Sequence, residues 1–462
     1  MKKIITVTLT LASLFAMTDV ALATDPVSPL KLPAEITVAT LTGNLNNPKV
    51  FPLANGSSLV TWQEVSSAGY FLKARTVSAT NKLSSIQTIN PLIAIPLDSR
   101  RGTRDTISIN RYGQIFAVWV TQGLRYGVTS QKVWGRTSLD GITWTKPFVV
   151  IAGLTVSGDS RMCEMDPSHF VGCGYIRLKS AIDDKGRLAV LVADNLSPIG
   201  KRYRMKARSF LGIWSNFKTL TPTPEMRSSE IVGLTSGFAV SADKYNPSGN
   251  NSVKVSYYNP KSEAWTNTAT AIVLTENTVI ESHWVQRDTK NLSLAISASS
   301  NVGLFMRNFN VDSQSWSSDL ITLQGFEENR FVTELKAAKV GADLVLLFNS
   351  YNQADGSNEI RVAKVSGLTP TISVAATNPT EINLLYVGST LSNHVVLAFN
   401  DLSLGTKFGG VTPETIPTFL PNTAANSNLT FLTKTRSDLV LGVGLGSVDA
   451  NTKLILIKGY VK

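Results

Sequence analysis

The stretch SLDGITW, residues 138–144, decides how the chain is read. Ser138 and Asp140 are short polar side chains that accept hydrogen bonds from nearby backbone N–H groups, which favours a tight turn. Gly141 supplies a positive φ without a Cβ clash. Trp144 carries a large ring that needs burial. A serine, an aspartate and a glycine can also suggest catalysis, yet each residue here already has a part in a bend. The tryptophan carries further information. Trp144, Trp214, Trp265 and Trp316 are each followed by Ser or Thr, and the last three are spaced by 51 residues. The first gap, 70 residues, is longer, and the extra length falls where Cys163 and Cys173 enclose a loop.

Around each tryptophan the same grammar returns. Helical periodicity is nearly absent, and short runs of β-branched and aromatic residues are bounded by Gly, Asn, Asp, Ser and Pro. Apolar segments such as IFAVWV (115–120), LAVLVA (188–193) and LSLAISA (292–298) read as second strands. Segments such as KVWGRTS (132–138) and VKVSYYN (253–259) read as third strands, and a tight turn leads on through the tryptophan. Four antiparallel strands in about 50 residues, repeated, predict propeller blades. The expected fold is therefore all-β, a β-propeller of four-stranded antiparallel blades. Second-strand segments near Leu59, Phe116, Leu188, Phe238, Leu294, Val345, Val396 and Val440 predict eight blades, with seven as the alternative. The last unit, from about Asn428 to Lys462, has room for three strands. The segment EITVATL (35–41) is expected to complete it, closing the ring and removing an exposed edge.

With the repeat in place, SLDGITW resembles the Asp-box, or BNR repeat, of the sialidase-like propellers. That motif runs Ser-x-Asp-x-Gly-x-x-Trp and is one residue shorter here. NPKSEAW (259–265) and NVDSQSW (310–316) occupy the same place without the glycine. The resemblance implies a sialidase-like propeller, non-catalytic or divergent, in which Ser138, Asp140, Gly141 and Trp144 form a structural Asp-box facing away from the functional site. Strand parity agrees, placing the third-to-fourth turns on the lower face and the blade-to-blade loops on the upper one.

Residues 1–23 read as a cleaved signal peptide: Lys2 and Lys3, an apolar stretch, then Ala21-Leu22-Ala23. No later segment is long and apolar enough to span a bilayer. The remainder, 24–462, is expected to be a single bacterial propeller domain, in the periplasm or secreted, with a loop insertion near 152–176. In that compartment Cys163 and Cys173 favour a disulfide, whose small loop would contribute about 3 kcal/mol. A metal site from Cys163, His169 and Cys173 with Asp166 or Glu164 lacks paired zinc-ligand spacing and needs reduced thiols. No metal and no cofactor are expected. The net charge of +11 becomes +10 when Lys2, Lys3 and Asp19 leave with the leader. It favours acidic partners, but no like-charge run marks a nucleic-acid site. A glycan or an envelope or extracellular protein is the expected partner of a monomer. Three separated histidines and no nucleophile elbow give no support to a serine hydrolase.

The upper-face segments carry the candidate site. Arg104, Arg177, Arg227 and Arg330 each fall near the start of an innermost strand, with Glu230, Glu281 and Asp105 close by. Sialidases bind a sugar carboxylate with arginines, whose planar forks match it bidentately. The resemblance implies three of these arginines as a clamp, Tyr175 or Tyr203 as nucleophile, Glu230 or Glu281 as its helper, and Asp105 as the acid. The family's early Arg-Ile-Pro motif is missing. A fold does not carry its function with it, so the leading expectation is a non-catalytic protein that binds a glycan or protein through its upper face. A sialidase-like glycosidase acting on terminal acidic sugars is the alternative, and an envelope scaffold the second.

Overall fold

An apolar second strand is stable only if both its faces are covered. The structure, a computed structural model, covers them. It describes residues 36–460 apart from 91–104, 157–175, 223–228, 412–419, 422–427 and shorter links of one to five residues. Every regular element among the described residues is a strand, and no helix there is long and apolar enough to cross a membrane. The strands form eight antiparallel sheets, seven of four strands and one of five.

Sheets 1 to 7 span 44–88, 105–156, 176–222, 229–274, 279–324, 330–377 and 382–421, with hydrogen-bonded neighbours in chain order. In sheet 4 the outer strand is broken into Ala264–Trp265 and Ala269–Leu274, both paired with Asn251–Asn259. Sheet 8 takes strands from both ends of the described chain. Ile36–Leu41 lies antiparallel to Asn451–Tyr460, with Ile36 opposite Leu456.

The sheets pack face to face. Trp62 and Val60 of sheet 1 lie in one cluster with Val38, Leu441 and Leu456 of sheet 8. Leu59 and Leu72 meet Ile115 and Trp119 of sheet 2, and Phe116 and Val118 meet Leu188 and Val190 of sheet 3. Tyr203 and Met205 meet Phe238 and Tyr258 of sheet 4, whose Val253 and Val255 meet Leu292 and Leu294 of sheet 5. Met306 meets Leu344 and Phe348 of sheet 6, and Leu347 and Val362 lie with Val387 of sheet 7. The inner strand of sheet 7, Ile382–Ser389, lies against Asn428–Lys434 of sheet 8.

The tryptophans of the repeat pin these interfaces. Trp144 packs into the cluster shared by sheets 1 and 2, Trp214 into that of sheets 2 and 3, Trp265 into that of 3 and 4, and Trp316 into that of 4 and 5. In sheet 1 the same place is held by Leu83, which bridges Val77 as Trp144 bridges Ser138. A second device was not anticipated from the sequence. Arg75, Arg136 and Arg307 each donate Nε to a carbonyl beyond their own turn, Ser84 (2.6 Å), Thr145 (2.7 Å) and Ser317 (3.1 Å). Each donates Nη1 to a carbonyl of the sheet before: Val38 (2.5 Å), Ile89 (3.0 Å) and Ala271 (2.7 Å).

The stretch 138–144 is a hydrogen-bonded turn. Ser138 Oγ accepts from Gly141 N (2.9 Å) and donates to Asp140 Oδ1 (3.0 Å), which also accepts from Ile142 N (2.8 Å) and Thr143 N (2.7 Å). Those donors hold the Asp140 carboxyl below its ordinary range against the opposing effect of partial burial. Gly141 has φ 72°, and a Cβ there would lie 2.8 Å from both Leu59 Cδ1 and Thr76 Oγ1 of sheet 1. In the two turns that lack the glycine, positive φ moves one place along, to Glu263 (50°) and Gln314 (54°). Gly141→Ala is therefore expected to destabilise by about 2 kcal/mol or more, combining left-handed strain with the clash. Leu139→Ala, exposed in the same turn, should change stability by less than about 0.5 kcal/mol. Urea midpoints at unchanged m-value read both.

Candidate functional site

Innermost strands carry residues alternately toward each neighbouring sheet, so a polar residue at their start must find a partner or reach solvent. The described carboxylates find partners. Asp105 opens Asp105–Ile109 and is 3 % exposed. Its Oδ1 accepts from Gln63 Nε2 (2.5 Å) and Tyr70 OH (3.2 Å), both on sheet 1. Burial pushes the Asp105 carboxyl up and the nearby Lys49 ammonium down, with their mutual attraction opposing both shifts. Asp105, expected in an open mouth as an acid, is enclosed between two sheets instead. Tyr203 is likewise 1 % exposed, donating to Asp243 Oδ1 (3.1 Å) across sheets 3 and 4.

Glu230 and Glu281 come together around His283, a residue on the same face to which the sequence reading gave no role. Glu230 Oε2 accepts the backbone N–H of Trp284 (2.6 Å), and Glu281 Oε2 accepts that of Leu335 (2.7 Å). Each glutamate thus ties its own innermost strand to the next sheet. His283 lies between them, with Nδ1 3.4 Å from Glu230 Oε1 and Nε2 3.5 Å from Glu281 Oε2. Burial alone would lower the imidazole; the flanking carboxylates outweigh it and raise its pKa to about 9. Burial alone would raise Glu281, but the hydrogen bond and charge of His283, the Leu335 N–H and Lys336 hold it below its ordinary range. A signal for this cluster existed. Glu281 and His283 are two apart in a strand, hence on one face, and Glu230 stands 51 residues earlier, one repeat period back.

Arg330 does not extend into an open mouth. It is 7 % exposed and its Nη2 lies 3.2 Å from Glu359 Oε1, while Glu359 Oε2 accepts from Arg361 Nε (2.7 Å) and Nη2 (2.6 Å). All three residues belong to sheet 6. Arg177 lies in Ile176–Ile182, where it pairs with Ala193, but its side chain is outside the described residues, as are Arg104, Arg227, Tyr175, Cys163 and Cys173. Among the described residues no cluster of His, Cys, Asp and Glu has the arrangement to hold a metal ion. On the side of the first-to-second turns, a cavity of about 680 Å³ is bordered by inner-strand or turn residues of six sheets, among them Phe51, Ser108, Ser180, Ile231, Gln286 and Lys339.

The chemistry of the described cluster is that of a clamp. An imidazolium between two carboxylates, each already holding a backbone N–H, stores charge and joins sheets 4, 5 and 6. His283 should titrate near pH 9 by NMR rather than near 6.5. Because the folded value is raised, its contribution is fully present below about pH 6.5 and is lost as pH rises through about 9. The stability difference between the native chain and His283→Gln, up to about 3 kcal/mol, should shrink over that window in denaturant titrations. A titration near 6.5 would show that the clamp does not form.

No known family's sequence model matches the chain, and no curated protein matches it. Among solved structures it is similar to the polysaccharide lyase Uly1, at 12 % identity over 90 % of each chain with a TM-score of 0.47. It is also similar to a protein of unknown function from Dyadobacter fermentans, at 9 % identity over 94 % of this chain and 99 % of that one, TM-score 0.43. The Hadza microbial sialidase Hz136 matches at 12 % identity over 84 % of this chain and 74 % of its own, TM-score 0.38.

Proposed function

We propose that the chain is an exported β-propeller of eight blades whose upper face binds an acidic glycan or a protein partner without turning it over. Support for eight blades comes from the eight sheets, each packed on the next, with sheet 8 against both sheet 7 and sheet 1. Ring closure by the N-terminal strand is supported by Ile36–Leu41 completing sheet 8. Arg75 also reaches Val38 of that strand as Arg136 and Arg307 reach the sheets before theirs. Lys2 and Lys3, the apolar run after them and Ala21-Leu22-Ala23 favour export to the periplasm or beyond, and the excess of basic residues favours an anionic ligand.

The observation that carries the non-catalytic reading is the engagement of Glu230 and Glu281. A general base or a nucleophile's helper must be within reach of a reacting group, and each of these carboxylates instead holds a backbone N–H of the next sheet and a face of His283. Arg330, paired with Glu359 in its own sheet, leaves Arg104, Arg177 and Arg227 as the three candidates for a carboxylate clamp. The test is an array of sialosides and uronic-acid glycans run beside a fluorogenic sialoside assay. Saturable, salt-sensitive binding without sugar release is the expected result. Sugar release that falls in Glu230→Gln and Glu281→Gln variants with native circular dichroism would overturn it in favour of a glycosidase.

A further inference from the structure

A different part of the molecule has the makings of a ligand site. The outer strand of sheet 4 stops at Trp265 and resumes at Ala269, and the register of the resumed strand shifts between Val253 and Lys254. Beside this gap lies a cavity of about 450 Å³ between sheets 4 and 5, within the roughly 300–1,000 Å³ span of small-molecule sites. Its walls are aromatic. Trp284, Phe309 and Trp316 of sheet 5 line it, with Tyr257 of sheet 4, while the Trp265 ring packs on the other face of sheet 4 against Phe238 and Tyr258. Trp284 and Trp316 stack at 5.9 Å and 28°, and Phe309 meets Trp316 at 5.1 Å and 53°. Exposed Asn267 and Gln314 add amides to the border.

The indole nitrogens of Trp284 and Trp316, like that of Trp265, are buried and have no acceptor among the described residues. Trp265 and Trp284 are themselves 9 % and 8 % exposed. Buried indole N–H groups ordinarily find a partner, and each one left without costs about 1–3 kcal/mol. Trp62, Trp119 and Trp144 are orphaned too, but none of them borders either described cavity. Here two such residues, Trp284 and Trp316, line one space, stacked on each other.

We infer that this cavity is a binding site for a neutral saccharide unit, on the side of the third-to-fourth turns and separate from the upper face. No charged residue is among its described lining, and the Arg307 guanidinium over the Trp316 ring is engaged by the Ser317 and Ala271 carbonyls, which favours a neutral ligand. A sugar ring presents C–H groups to aromatic faces, and its hydroxyls exchange hydrogen bonds with the exposed amides of Asn267 and Gln314. The rings meet at varied angles, up to 72° between Trp284 and Phe309, which suits a puckered ring with polar edges better than a flat base.

The experiment uses the full chain and a probe set of methyl glycosides of glucose, galactose, mannose and xylose, with cellobiose. Indole ¹⁵N–¹H resonances and tryptophan fluorescence are the readouts. At least one probe should shift the resonances of Trp284 and Trp316 saturably. Asn267→Ala, at an exposed position, and Trp316→Ala should each weaken binding about tenfold, equivalent to about 1.4 kcal/mol, and leave any upper-face ligand's affinity unchanged. The inference is overturned if no probe moves those resonances, or if the shift survives both substitutions. It is also overturned if adenosine or tetramethylammonium saturates the site and the glycosides do not. Because upper-face binding is read separately, failure here and failure of the proposed function are distinct results.

Discussion

The structure depends on apolar sheets that have no bare face. In sheets 4, 5 and 6 the second strands are buried at almost every position, through Phe238–Asp243, Leu292–Ala298 and Leu344–Ser350. A lone four-stranded sheet with such a strand would expose both faces to water, at a cost of roughly 25 cal/mol for each Å² of apolar surface. Stacking sheet upon sheet removes that cost, but only if every sheet has a neighbour on each side. This requirement explains why the chain repeats one unit rather than varying it, and why its first described strand pairs with its last.

Face-to-face packing of sheets leaves their polar ends to be reconciled. Three arginines on third strands bridge from their own turn to the carbonyls of the sheet before. Two glutamates on first strands bridge to the amides of the sheet after. Arginine offers several donors in a rigid fork, so one side chain serves two carbonyls. A carboxylate has two oxygens, so one residue serves both an amide and an imidazole. Hydrogen bonds to charged groups contribute about 1.5–3 kcal/mol, enough to set the register of neighbouring sheets once burial has brought them together. The proposed non-catalytic reading rests on that engagement.

The aromatic cavity is the converse. Sheets 1, 2 and 3 carry the same break in their outer strands, after Leu83, Trp144 and Trp214, so the break alone does not make the cavity; between sheets 4 and 5 the rings of Trp284, Phe309 and Trp316 border space.

What the residues alone determined is periodic and local. Trp214, Trp265 and Trp316 at equal spacing announced a repeated unit, and alternation of apolar runs with turn residues divided it into four strands. Ser138, Asp140 and Gly141 specified a bend because their hydrogen bonds and φ are settled within a few residues. Only tertiary structure decided which side chains meet across sheets. Nothing near His283 in the chain tells that Glu230, 53 residues away, faces its Nδ1. Nor does the sequence around Asp105 tell that Gln63 and Tyr70 enclose it. Strand parity gives the face on which a residue lies, whereas its partner on the opposing face depends on the offset and angle at which two sheets pack. Those follow from the summed fit of many side chains, which no short stretch contains.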